Sequence, residues 1–141
     1  MNSLSFPDVN VWLALILGNH THRPSALAWW GQAASAIAFS RLTQISVLRL
    51  LTTSAAMDGQ PLTLAKAWST YDKLFSDSRV TFLPEPPDLE REFRSKSTSG
   101  VASPKVWADA FLVAMAIGHR AQIVSFDRAL RTVAVDCLIL E

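Results

Sequence analysis

The sequence holds a single cysteine, Cys137, so no disulfide can form within the chain, and a reducing cytoplasm is the expected home. No uninterrupted apolar run reaches the roughly 18 residues needed to span a bilayer, which excludes a membrane-spanning helix. The opening MNSLSFPDVN has no basic start and too short an apolar stretch for a secretory leader. Charge of neither sign dominates: 13 Lys and Arg stand against 12 Asp and Glu, a net +1. That balance excludes a broad basic coat, so any nucleic acid must be gripped by a local patch. No Cys/His cluster is present, which argues against a zinc site. Internal repeats, low-complexity tracts and interdomain linkers are also missing, so residues 1–141 read as one domain.

What is present is apolar. Half of the 141 residues are hydrophobic and 18% are charged, enough for a proper core. Short apolar runs at Leu4–Phe6, Ala36–Phe39, Val80–Leu83, Ile123–Phe126 and Val135–Leu140 read as strands. Helices are expected between them: Val11–Leu17 closed by Gly18-Asn19, Pro24 to about Ala34, Thr43–Met57, Leu62–Phe75, Leu89–Lys96 capped by Asp88, Val106–Ile117 opened by Ser103-Pro104, and Arg128–Arg131. Strands separated by helices imply an α/β fold, a three-layer sandwich with a five-stranded, mostly parallel sheet covered by helices on both faces. In such sheets the functional crevice lies beyond the carboxyl ends of the strands.

Three carboxylates fall there. Asp8 follows the first strand, Asp127 follows the fourth, and Asp109 is the only charged residue of the apolar stretch Val106–Ile117. Brought together, three acids repel unless a cation lies between them. Hard oxygen ligands select Mg²⁺ or Mn²⁺, the ions that activate water in phosphoryl chemistry. The plainer alternative for Asp8 and Asp127 is helix capping; Asp109 has no such role available. Cys137 reads as an inert thiol in an apolar run, and His20, His22 and His119 as exposed loop residues. Arg49, within the nearly apolar Val47–Leu51, is expected to need an anionic partner.

The blocks Phe6-Pro7-Asp8-Val9-Asn10-Val11, Trp107-Ala108-Asp109-Ala110-Phe111-Leu112-Val113-Ala114-Met115-Ala116 and Ile123-Val124-Ser125-Phe126-Asp127-Arg128 resemble the opening and closing signatures of PIN-domain nucleases. The nearest resemblance is to the VapC-type toxins of bacterial toxin–antitoxin pairs, over essentially the whole chain. The resemblance implies a Mg²⁺- or Mn²⁺-dependent endoribonuclease, a homodimer, inhibited by a VapB-type antitoxin. Asp8, Asp109 and Asp127 match the family's catalytic, metal-binding acids, with Asn10, Gln44, Ser46 and Ser125 as supporting polar groups. One departure stands out. The family places a Glu a few residues into the third helix, whereas Thr43-Gln44-Ile45-Ser46-Val47 has no acid, so Ser46 or Gln44 occupies that position.

Lys96, Lys105, Arg128 and Arg131 flank the acids in sequence and are the candidate phosphate contacts, single-stranded or looped RNA being the form that enters a metal cleft. Trp12–Leu17 and Ala26–Trp30, with the adjacent Trp29 and Trp30, are the candidate antitoxin groove, the alternative being plain core packing, for Trp12 above all. Two rival readings follow from the same residues. A PIN-like scaffold weakened by loss of the helix Glu would serve as a binding module for protein or RNA. A Mg²⁺ phosphohydrolase of another kind would want a second acid two residues after Asp8, where Asn10 stands.

Overall fold

A computed structural model describes residues 4–33, 36–134 and 136–141. Its frame is a five-stranded sheet in the order β3-β2-β1-β4-β5, with β1 Leu4–Pro7, β2 Ala36–Phe39, β3 Val80–Phe82, β4 Gln122–Ser125 and β5 Cys137–Ile139. Every strand pair is parallel, with Ser5 opposite Ile37 and Gln122, and Phe39 opposite Phe82. The helices are α1 Val9–Ile16, α2 Arg23–Gln32, α3 Arg41–Leu51, α4 Leu64–Leu74, α5 Leu89–Ser95 and α6 Val106–His119. Short 3₁₀ turns span Ala55–Met57 and Arg128–Thr132.

The period-2 alternation of the strands divides the core. Ile37, Phe39, Val80 and Val124 face the layer of α1 to α4, where Trp12 lies flat on Phe39 with ring centroids 3.9 Å apart. Phe6, Ala38 and Ile123 face the opposite layer, packed by Leu89 of α5 and by Leu112, Val113 and Met115 of α6. The expected sandwich is therefore present. Its chain path matters for function: β1 is central, the chain first builds outward through β2 and β3, then returns to β4 on the other side. The order reverses between β1 and β4, and Asp8 and Asp127 follow the ends of these two strands. Such a switch point opens a crevice between diverging connections.

Several boundaries differ from the sequence expectation. The third helix starts at Arg41 and ends at Leu51, well before Met57. Ser40 caps it, its hydroxyl accepting from the Thr43 amide while the Ser40 amide donates to Thr43 Oγ1. Asp88 does occupy the N-cap of α5 but in a left-handed conformation (φ 65°) and without a capping hydrogen bond. The N-cap of α6 is Lys105, so Ser103-Pro104 precedes the helix by a turn. The fourth helix begins at Leu64, capped by Thr63. Gly118 does not break α6; the break comes at Arg120, in the left-handed region. Glycine is needed at 118 because a Cβ there would collide with the ring of Pro86. The expected end of the second helix at Ala34 and the expected start of the last strand at Val135 lie outside the described residues.

Candidate metal centre and nucleic-acid interface

Asp8 is placed by two elements at once. Its backbone N–H extends the β1–β4 ladder, donating to the Val124 carbonyl at 2.8 Å. Its side chain then caps α1, Oδ1 accepting from the Val9 amide at 2.7 Å. Ser125, fully buried at the end of β4, ties the other oxygen down. Its hydroxyl donates to Asp8 Oδ2 at 3.1 Å and accepts from the Asp127 amide at 2.9 Å. Asp127 Oδ1 accepts from the Ala129 amide at 3.0 Å. Both acids thus cap helical turns, and each retains lone pairs beyond those bonds.

Asp109, in the first turn of α6, lies in a small cleft of about 40 Å³ with Asp8, Ser40, Thr43, Ser46 and Phe111. Burial raises the Asp109 carboxyl above the ordinary value of 3.8, and the charges of Asp8 and Asp127 push it further up, while Lys105 works against them. Asp8 is raised too, first by burial and in part by Asp127, against the hydrogen bonds from Val9 and Ser125. Asp8 and Asp109, remote in sequence, therefore both feel the Asp127 charge.

The donor set suits a hard divalent cation: carboxylate and hydroxyl oxygens, with no thiolate or imidazole among the residues lining the cleft. Asp8 and Asp109 line one cleft, and Asp127 lines the neighbouring one, tied to Asp8 through Ser125. Among the described residues no three His, Cys, Asp or Glu side chains form a preformed metal cluster. Mg²⁺ commonly keeps several waters and takes only one or two carboxylates directly, so the donor set fits such an ion.

The supporting residues separate. Ser125 and Ser46 belong to the acid cleft. Gln44 does not: it is buried, its Oε1 accepts from Arg41 Nη1 at 2.7 Å, and it hydrogen-bonds Tyr71. Asn10 is exposed and lines an adjoining cleft with His20, His22, Phe126 and Asp127.

Of the proposed phosphate contacts, Lys105 is close enough to act on Asp109. Arg128 instead pairs with Glu141 at 3.2 Å, both exposed. Lys96 caps the end of α5, and Arg131 sits on the 3₁₀ turn, its charge felt by Cys137. None of these four lines the acid cleft or the two clefts beside it. The cation that sequence reasoning missed is Arg41, whose guanidinium lies 4.6 Å from the Phe82 ring centroid. Its position two residues after the β2 strand end was the available signal.

Other expectations are corrected by packing. Arg49 is exposed, because Val47 and Leu51 turn inward while Ile45 and Arg49 share the outer face of α3. Trp12 and Trp29 are core residues, and Trp30 is half-buried with Arg79 over its ring; the exposed tryptophans are Trp68 and Trp107. His119 ends α6, its Nε2 within 2.8 Å of the Pro84 carbonyl, so it is no loop residue. Cys137 is half-buried, with its thiol pushed up by burial. No helix among the described residues is long and apolar enough to cross a membrane.

Comparison with known proteins places this arrangement. A model of the PIN domain family matches residues 5–136. Ribonuclease VapC41 of Mycobacterium tuberculosis is 38% identical over 128 residues, covering 86% of this chain and 88% of that one. Among solved structures, VapBC2 from Rickettsia felis bound to a promoter DNA fragment superposes with a TM-score of 0.70 at 12% identity, over 98% of this chain and 99% of that one. M. tuberculosis VapC20, a sarcin-ricin loop cleaving toxin, gives 0.65 at 16% identity, over 91% and 93%. The sheet order, the acids at its switch point and the extent of these matches agree: the chain belongs to the PIN-domain family, alongside the VapC ribonucleases.

Proposed function

We propose that this protein is a Mg²⁺- or Mn²⁺-dependent endoribonuclease, a single PIN domain acting in the cytoplasm as the toxin of a VapBC-type pair. The observation that carries the reading is the Ser125 hydroxyl that joins Asp8 to the Asp127 amide, with Asp109 lining the same cleft as Asp8. Keeping three repelling acids together costs stability unless they serve a cation.

Asp8, Asp109 and Asp127 would hold the ion. When bound, it lowers the pKa of a water for attack on the phosphodiester and offsets charge on the phosphate oxygens. The chain's own contribution is orientation. Ser125 fixes the Asp8 carboxylate and the backbone entering Asp127, and the Val9 amide holds the opposite Asp8 oxygen. Lys105, beside Asp109, offers a positive charge to the incoming phosphate. Membership of the family further supports a homodimer and inhibition by a VapB-type antitoxin, since the similar R. felis structure is a VapBC complex.

A second reading has its own observation. The α3 position facing the acids is Ser46, and no preformed cage is present among the described residues, which favours a binding module with weakened chemistry. Purified, antitoxin-free protein incubated with several RNA classes separates the two. Cleavage that requires Mg²⁺ or Mn²⁺ and is abolished by EDTA and by Asp109→Asn establishes the ribonuclease. A folded, metal-loaded wild type that leaves every RNA intact establishes the binding module.

A further inference from the structure

Two aromatic clefts flank the acids along the carboxyl edge of the sheet, one on each side. The first, about 250 Å³, is lined by Arg41, Phe82, Leu83, Glu85, Phe111 and Met115. It adjoins the acid cleft directly: Phe111 lines both, and Ser40 and Leu42, the chain neighbours of Arg41, line the acid side. The second, about 370 Å³, is lined by Asn10, His20, His22, Phe126 and Asp127, so it shares an acid with the centre.

Each cleft carries a flat, polar-edged platform. Arg41 lies on Phe82 and is held there by buried Gln44, while the residue itself stays exposed. No carboxylate among the described residues lies within salt-bridge distance of Arg41. On the other side His22 stacks on Phe126, with ring centroids 4.5 Å apart and planes 23° from parallel. The His22 amide donates to His20 Nδ1 at 3.1 Å, which fixes the turn that presents the imidazole. A planar cation or imidazole backed by a phenyl ring is a surface on which a nucleobase stacks. Glu85 lines the first cleft and disfavours phosphate entry there, so a base, and not the backbone, is what the Arg41 platform accepts.

Resting on the ribonuclease reading above, we propose that the Arg41–Phe82 and His22–Phe126 clefts are base-binding subsites on either side of the scissile phosphate. The RNA strand then runs across the strand ends from β3 to β4, a span of about 14 Å at ~4.8 Å per strand. Bases seated on both sides must be unstacked from their neighbours, so the substrate is single-stranded or looped, and a continuous duplex is excluded. Arg41 and His22 are binding residues in this scheme and take no proton.

The test is fluorescence anisotropy with a fluorescein-labelled 12-nucleotide RNA of mixed sequence, alone and annealed to its complement, in Mg²⁺. The protein carries Asp109→Asn so that the probe survives. Arg41→Ala and His22→Ala should each weaken single-strand binding roughly tenfold. Arg41→Lys, which keeps the charge and loses the plane, should fall with Arg41→Ala. Lys73→Ala, on exposed α4, is the charge-matched control and should bind normally, and melting temperatures should show every variant folded. With Asp109 intact, the Arg41 and His22 variants should raise KM for RNA cleavage more than they lower kcat.

If both alanine variants bind like the parent while the Asp109-intact protein still cuts RNA, the subsites are wrong and the ribonuclease reading stands. Rescue by Arg41→Lys reduces that cleft to a simple charge contact and overturns stacking there. Equal affinity for the duplex overturns the unstacked-base requirement. A wild type that never cuts RNA removes the parent reading, and the subsites fall with it.

Discussion

Besides Val9 at the start of α1, two helices line the acid cleft, α3 and α6, and they bring different chemistry. Helix α6 delivers a carboxylate, Asp109, from a turn otherwise apolar; α3 delivers hydroxyls, Thr43 and Ser46, with Ser40 as its cap. The α6 acid is raised by burial and by its fellow acids, a sign that its negative charge is held at a cost. Nothing comparable exists on α3. Its polar investment instead went one residue pair away, into the buried Gln44, which braces Arg41 and Tyr71. One side of the cleft is built for a cation, the other for holding a platform in place.

Removing the α6 charge should have the largest effect. Asp109→Asn is expected to lower kcat/KM for RNA cleavage about a hundredfold or more, since even groups behind a metal ligand are worth roughly 10–100-fold. The same change should raise the melting temperature of metal-free protein at pH 7. The sign follows from the raised carboxyl: below 3.8 the acid is neutral folded or unfolded and carries no penalty. As pH rises above 3.8 the unfolded acid ionises while the folded one resists, so the penalty grows until the higher folded-state value is passed and then persists at neutrality. The stabilisation by Asn should therefore shrink to nothing as pH falls towards 4, and thermal melts across pH 4–8 read it directly.

Adding a charge to α3 probes the other side. Ser46→Glu should lower the Mg²⁺ concentration for half-maximal cleavage by about tenfold, because carboxylate count tunes affinity for hard cations. It should also lower the metal-free melting temperature. A Mg²⁺ titration unchanged by this variant would show that α3 does not face the ion at all. Gln44→Ala comes next in size: loss of a buried side chain bonded to Arg41 and Tyr71 should cost about 1–3 kcal/mol of stability in denaturant melts, with the Mg²⁺ requirement unaltered. The smallest effect belongs to Arg128→Ala. Its partner Glu141 is as exposed as it is, so stability should shift by less than ~1 kcal/mol and cleavage should stay near wild type.

The same contrast marks what the sequence made legible. Asp8 and Asp127 follow strand ends, and a parallel sheet sends its strand ends to one edge, so their meeting could be read from apolar runs alone. Asp109 was legible as the lone charge in an apolar helix. The α3 side was not, because the start of that helix is set by the Ser40–Thr43 reciprocal cap, with Thr43 where a Glu or Gln usually stands. Starting the helix at Arg41 fixes which of Gln44 and Ser46 turns to the acids, and spacing from the wrong start leaves both open. Arg41 on Phe82 and His22 on Phe126 join residues far apart in the chain, and no local period signals such pairs. Arg49 and Trp29 failed for a related reason: composition of a window says how much is buried, and only helix phase says which side.

The placement of β1 at the centre of the sheet has a consequence in time. Asp8 emerges more than a hundred residues before its strand neighbour β4 and the bond from Ser125. Among the described residues all sheet pairings are parallel and so non-local, with no hairpin to seed them. On the ribosome, a nascent chain carries Asp8 long before it carries Asp127, and the three acids cannot share a cleft until translation has passed both.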